Sequence, residues 1–221
     1  MLISEIKGLK YPDEYFIKFF FRNELHNKSN LKYLEFGCAN GSNLMLPYQY
    51  NNEIIGIDYD NSLIDDATHN FELLSGTHFK FYADDMRQFT KKQKDIESDV
   101  LILASVIYYI SKNDFIEFLK DTVSNNNLNK NIPCYIRVRS TKDFRYGYGE
   151  KIDLNRYRMP KDSMTGEHNA EIEFYTEFDI LNILKKYLNL RDYKVFHLDN
   201  QNEHNGEIIL NADIVIWGII N

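Results

Sequence analysis

Glu35, Gly37, Gly41 and Asp58 are the residues whose type and spacing point first to chemistry. They lie in Tyr33-Leu-Glu-Phe-Gly-Cys-Ala-Asn-Gly41, an apolar run that breaks into a turn, and in Ile54-Ile-Gly-Ile-Asp58, a second apolar run that ends on a carboxylate. The first run reads as a buried strand feeding a tight loop that opens a helix. Glycine lets the backbone take unusual dihedrals and lets a ligand approach the main chain, so a side chain at Gly37 is expected to fill space a ligand needs. An acid about 20 residues further on is placed to accept hydrogen bonds from a ribose. Together these residues describe a site for an adenosine-containing cofactor at the carboxyl ends of parallel strands.

The loop is not a dinucleotide fingerprint, because Ser42 stands where G-x-G-x-x-G needs its third glycine. It is not a P-loop either, since no Gly-Lys-Ser/Thr follows. Its spacing resembles the G-x-G-x-G loop of class I S-adenosylmethionine-dependent methyltransferases. Glu35 fills that family's acidic position two places before the first glycine, and the family's middle glycine is Ala39 here. Alanine is small enough for close approach but reaches positive φ only at a cost. The resemblance continues along the chain to about residue 139. Ala83-Asp84-Asp85-Met86 resembles the segment whose acid meets the adenine amino group and whose next residue packs on the ring. Asp99-Val-Leu-Ile-Leu-Ala-Ser-Val-Ile-Tyr-Tyr109 resembles the fourth strand and the turn beside the methionine part of the cofactor. The resemblance implies S-adenosyl-L-methionine as cofactor. The residues it implies as binding are Glu35, Phe36, Gly37, Cys38, Ala39, Asn40, Gly41 and Asn43 in the loop, Asp58 and Tyr59 at the ribose, Asp84, Asp85 and Met86 at the adenine, and Ala104 and Ser105 at the methionine end. Taken singly, Asp58, Asp84 and Asp85 also read as ordinary strand-end caps.

These residues need elements to hold them. Pro12 followed by two acids starts a helix over 12–25. Strands are expected at 32–36, 53–57, 78–82, 99–104 and 134–139. Helices are expected from 41 (weakened by Pro47), over 61–74 with Asn61 or Ser62 as cap and Gly76 after its end, over 85–93, over 113–123 and over 176–188. Such alternation predicts an α/β fold with a parallel sheet and helices on both faces. Residues 193–198 and 208–220 flank the turn-rich 199–206 and read as a hairpin. The resemblance implies a Rossmann-like, seven-stranded, mostly parallel sheet whose last strand is antiparallel. The whole chain reads as one domain, with an N-terminal helical segment over 1–30 and an inserted lid over about 140–174.

The insertion does not fit the alternation, and a loop of this length on the carboxyl side of a sheet is usually a lid or binding element. Between Arg137 and Lys161 the chain carries eight basic residues against Asp143, Glu150 and Asp153, and five of its eight arginines fall there. Tyr146, Tyr148 and Tyr157 are interleaved. Arginine forks bind phosphate or carboxylate bidentately. One reading is therefore a pocket for an anionic small molecule, such as a phosphorylated or nucleotide-linked sugar or a surface-polysaccharide precursor, held by Arg137, Arg139, Arg145, Tyr148, Arg156 and Arg158. The other is a solvated charged loop pairing with the acidic body. His168 is the candidate catalytic base, though a lone histidine is more often a surface residue. Tyr109, after strand four, is the second candidate at the acceptor, and packing alone would also explain it.

The formal charge of −7 in 221 residues argues against general nucleic-acid or anionic-membrane binding. The N-P-P-Y-type motif of base-amine methylation is replaced by Ala104-Ser-Val-Ile107. An RNA or protein methyltransferase and a catalytically silent cofactor-binding module remain as alternatives. Cys38 and Cys134 are the only cysteines, so neither a disulfide framework nor a metal site is expected, and the cytoplasm is the default compartment.

Overall fold

The computed structural model describes residues 3–74 and 77–221, which leaves the expected helix stop at Gly76 outside the described residues. Five strands carry the first part of the chain: β1 (Lys32–Phe36), β2 (Glu53–Asp58), β3 (Phe79–Ala83), β4 (Val100–Ala104) and β5 (Ile132–Arg139). The insertion holds β6 (Glu150–Asp153), β7 (Arg156–Arg158) and β8 (Glu171–Glu173), and β9 (Arg191–His204) and β10 (Glu207–Ile220) close the chain. The main sheet has seven strands in the order β3-β2-β1-β4-β5-β10-β9. The first five pair in parallel, while β10 pairs antiparallel with both β5 and β9. This is the Rossmann-like methyltransferase arrangement that the sequence implied. Strand order reverses between β1 and β4, which is where open α/β sheets bind ligands.

Both faces of the sheet are covered. Alternate residues of β1 serve opposite cores: Leu34 and Phe36 join Leu101, Phe115, Phe118 and Ile180 on one face, and Tyr33 joins Ile54, Ile102, Phe16, Phe19 and Trp217 on the other. The helices are α1 (Glu14–Arg22), α2 (Met45–Tyr48), α3 (Asn61–Leu73), α4 (Met86–Lys92), α5 (Lys112–Ser124) and α6 (Glu177–Leu188). Polar side chains cap most of them. Asp13 accepts from the amides of Tyr15 and Phe16, and Ser111 and Thr176 cap α5 and α6.

Four expectations change. The helix expected from 41 shrinks to the single turn α2, because Pro47 lacks an amide donor. The cap of α3 is Asp60, whose carboxylate accepts from Ser62 N at 2.8 Å, and not Asn61 or Ser62. The hairpin strands run to His204 and from Glu207, so the turn is only Asn205–Gly206, with φ of +52° and +87°. Two left-handed residues match the twist of the flanking strands, so residues 199–204 stay extended. The insertion is not a bare loop: β6, β7 and β8 form a separate antiparallel sheet. Strands of three and four residues are too short to announce themselves by alternation.

Candidate functional site

The loop after β1 makes three left-handed residues in alternate positions: Gly37 at φ +71°, Ala39 at +46° and Gly41 at +76°. Gly37 N and Cys38 N both donate to Ile57 O, at 2.7 and 3.1 Å, which pins the loop to the end of β2. Ala39 N donates to Asp58 Oδ2 at 2.9 Å, and Asp60 N donates to Asp58 Oδ1 at 3.1 Å. Asp58 thus holds Ala39 in its costly conformation and still has acceptor capacity on both oxygens. A Cβ at Gly37 would lie 2.4 Å from Val106 Cγ2, so the turn after β4 leaves no room for a side chain there. A Cβ at Gly41 would lie 2.9 Å from Phe71 of α3.

A cleft of about 740 Å³ opens at the carboxyl ends of β1, β2 and β4. Of the residues expected to bind cofactor, Gly37, Ala39, Asp58, Tyr59, Asp84, Asp85, Met86 and Ser105 line it, and so do both candidate catalytic residues, Tyr109 and His168. Asp84 pairs with Lys92 at 2.9 Å. Asp85 caps α4 and takes the Arg87 guanidinium, Nε to Oδ1 at 2.9 Å; that bond holds its carboxyl below the usual range. Ile57, Leu63, Val106 and Ile110 add an apolar wall, of which Leu63 and Ile110 lie outside the quoted motifs. A carboxylate acceptor in reach of a ribose diol, an apolar strip for a flat ring and the Asp84 carboxylate as acceptor for an exocyclic amine are groups that fit an S-adenosyl ligand.

The other expected cofactor residues do not line the cleft. Phe36 is fully buried in the core, and Ala104 packs against the opposite core. Cys38 is buried, and burial pushes its thiol well up. Asn40 turns away and donates to Lys7 O and Leu9 O, at 2.6 and 2.8 Å. Asn43 bridges Glu35 Oε1 (2.8 Å) to the amide of Asp13 (2.8 Å). Glu35 is 1 % exposed; burial lifts its pKa to about 8, and its Oε2 has no hydrogen-bond partner.

The insertion supplies the far wall through Gly166, Glu167, His168, Ala170 and Glu171. None of the six residues expected to hold an anion is in that wall. Arg137, on β5, is bound by Asp13 and by Asp213, the latter at 2.9 Å from Nε. Arg139 reaches Glu167 at 2.6 Å and lies over the Tyr108 ring at 4.4 Å. Arg145 is held by Asp143 at 2.7 Å and Glu167 at 2.6 Å. Arg156 pairs with Glu171 at 3.1 Å, and Arg158 with Glu150 and Glu171 at 2.6 and 2.7 Å. Tyr148 is 39 % exposed. The guanidinium groups stand behind the wall, and the carboxylates Glu167 and Glu171 face the cleft. Composition showed the arginines but not their partners, which come from as far away in sequence as residues 13 and 213. Tyr109 rests on Tyr108, with ring centroids 4.6 Å apart, and desolvation raises its phenol well above the ordinary value. It is therefore a hydrogen-bond donor at neutral pH and not a base.

Residues 27–135 match the family model described as a methyltransferase domain. No curated protein sequence gives a significant match. Among solved structures, an S-adenosylmethionine-dependent methyltransferase from Methanosarcina mazei superposes with a TM-score of 0.66 at 17% identity, over 88% of this chain and 96% of that one. The N-methyltransferase NodS of Bradyrhizobium japonicum WM9, in complex with S-adenosyl-L-homocysteine, gives 0.60 at 16% identity, over 94% and 86%. The magnesium protoporphyrin IX methyltransferase of Synechocystis PCC 6803, also with bound S-adenosylhomocysteine, gives 0.61 at 12% identity, over 94% and 82%. At these identities the likeness is one of fold. With the cleft at the strand-order reversal, the Asp58-braced loop and the matched domain in agreement, the chain has the class I methyltransferase fold and carries a methyltransferase domain over residues 27–135, with S-adenosylmethionine as its cofactor.

Proposed function

We propose that this enzyme methylates an oxygen or nitrogen of a small molecule held between the cofactor loop and the insertion. One observation carries the reading: a single cleft of about 740 Å³ has Gly37, Ala39 and Asp58 on one side and Tyr109 with residues 166–171 on the other. Pockets for drug-sized ligands run to about 300–1,000 Å³, so a cofactor and a small acceptor share this one. The bound cofactor supplies an electrophilic methyl group. The residues of the chain do the rest. Asp58 orients one reactant against the loop, the roof of the insertion excludes water, and the Tyr109 hydroxyl donates to the acceptor. Holding two reactants in line is itself a large part of the acceleration in such a displacement. His168 lies on the same wall and is the group we assign to accept the acceptor's proton.

For the acceptor we favour a neutral or amine-bearing molecule, because Glu167, Glu171 and phenol line the insertion side of the cleft, and the one guanidinium in its lining, Arg87, is paired with Asp85 and Asp114. The anionic acceptor retains one supporting observation: the Arg158 side chain is 43 % exposed at the edge of the insertion. Incubation with methyl-labelled cofactor and parallel pools of amines, neutral hydroxyl compounds and phosphorylated sugars separates the two. Label in the first two pools, unaffected by Arg156→Ala/Arg158→Ala, supports the neutral or cationic reading. Label confined to phosphorylated sugars, with KM raised by the double variant, overturns it in favour of the anion. The free, buried thiols of Cys38 and Cys134 support a cytoplasmic setting, which we propose as its compartment. Among the described residues no helix is long and apolar enough to cross a membrane.

A further inference from the structure

We infer that Asn40 is a positioning residue: it fastens an N-terminal strap, residues 7–13, to the back of the cofactor loop, so that strap docking and cofactor binding reinforce one another. The inference rests on the assignment of S-adenosylmethionine to that loop.

Asn40 is 2 % exposed and Asn70 of α3 is fully buried, and both spend their amides on the strap. Asn40 Nδ2 donates to Lys7 O and Leu9 O. Asn70 Oδ1 accepts from Lys7 N at 2.8 Å, while Asn70 Nδ2 donates to Lys7 O and Asn40 O, each at 3.1 Å. The two side chains and the Lys7 peptide close a ring of hydrogen bonds with no unmet donor. Gly8 is left-handed, at φ +67°, and a Cβ there would lie 2.9 Å from Asn40 Cγ, so the strap lies flush on the loop. Its far end is hung on the same loop, because Asp13 N donates to Asn43 Oδ1. Between these two anchors Leu9 and Tyr11 are 68 % and 67 % exposed. Lys7 Nζ also pairs with Asp66 at 3.3 Å, and the Asp13 carboxylate accepts from the Tyr135 hydroxyl and Arg137.

The loop that the strap backs is strained at Ala39, and strained backbone persists only where its surroundings over-determine it. Asp58 fixes Ala39 from the ligand side, and Asn40 fixes the next residue from the rear. A ligand that requires this loop shape favours the docked strap, and by linkage the docked strap favours the ligand to the same degree.

Two measurements test this, with S-adenosylhomocysteine as the probe. In the wild-type chain, saturating probe should slow tryptic cleavage after Lys7 and Lys10. In Asn40→Asp, which keeps the shape but replaces the donor amide with a carboxylate, probe affinity should fall about tenfold, the scale of one lost hydrogen-bonding contact. Cleavage of that variant should then be indifferent to probe. The affinity deficit relative to wild type should shrink as pH falls and the introduced carboxyl regains a donor, which a general structural lesion would not do. If Asn40→Asp does not fold, the wild-type proteolysis decides alone. Normal probe binding that leaves wild-type cleavage unchanged, or an Asn40→Asp variant that binds like wild type, overturns the strap's role. A wild-type chain that binds no probe overturns the cofactor assignment itself, and the strap's role with it.

Discussion

Replacing Gly37 with alanine isolates what the glycine does. Two costs add. The residue sits at φ +71°, and a left-handed L-residue costs roughly 1–2 kcal/mol. The new Cβ would also lie 2.4 Å from Val106 Cγ2 and 2.5 Å from Val106 Cβ. Forcing a methyl into an occupied space costs typically about 1–3 kcal/mol. Gly37→Ala should therefore lower stability by roughly 2–5 kcal/mol, read from urea denaturation of the cofactor-free protein. Val106→Gly removes the obstructing Cβ together with its methyl groups. In a double-mutant cycle, the alanine at 37 should then cost only the conformational part, ~1–2 kcal/mol, so that a coupling of about 1–3 kcal/mol appears between the two sites. Titration calorimetry with S-adenosylhomocysteine gives the control. If a side chain at 37 instead obstructs only the ligand, Gly37→Ala would denature like wild type, lose affinity, and show no coupling to Val106. That pattern would refute the reasoning.

Asp58→Ala removes the brace on Ala39 and the carboxylate proposed to take the ribose, and S-adenosylhomocysteine affinity measured by calorimetry should fall by about 1–3 kcal/mol, more than the change in stability of the free protein. Glu167→Ala strips a partner from Arg139 and Arg145, whose side chains are only 11 % and 6 % exposed. Leaving such charges uncompensated should cost on the order of 3–5 kcal/mol in denaturant titrations, and a loss below about 1 kcal/mol would mean that the pairs are solvated. Glu35 binds its proton more tightly in the folded chain than in the unfolded one. Its contribution is thus complete below about 4.5 and is lost as pH rises toward about 8, with a slope of up to ~1.4 kcal/mol per pH unit. Glu35→Gln should flatten that part of the stability–pH curve, and an unchanged curve would count against a buried, proton-holding Glu35.

The sequence by itself determined the parts that depend on near neighbours. An apolar run followed by Gly37 and Gly41 can only be a buried strand turning sharply, and a second apolar run ending at Asp58 places a carboxylate beside that turn. The periods of the later helices and strands then imply the sheet, and the matched family carries the same inference. Helix starts at Asp13, Ser111 and Thr176 follow from side chains two or three residues from the amides they cap. The tertiary structure decided everything that rests on partners distant in the chain. Five arginines within 22 residues look like a site for an anion until the fold brings Glu167 to Arg139 and Arg145, Asp213 to Arg137, and Glu171 to Arg156 and Arg158. Asn40 looks like a cofactor ligand until Lys7, 33 residues earlier, takes its amide. Nothing in the sequence around Gly37 announces that Val106, from the turn after β4, packs against it. Residue type fixes what a group can bind, but a buried charge or amide is satisfied by whichever group the chain path delivers within about 3 Å, and that path is a property of the packed sheet and not of any local window.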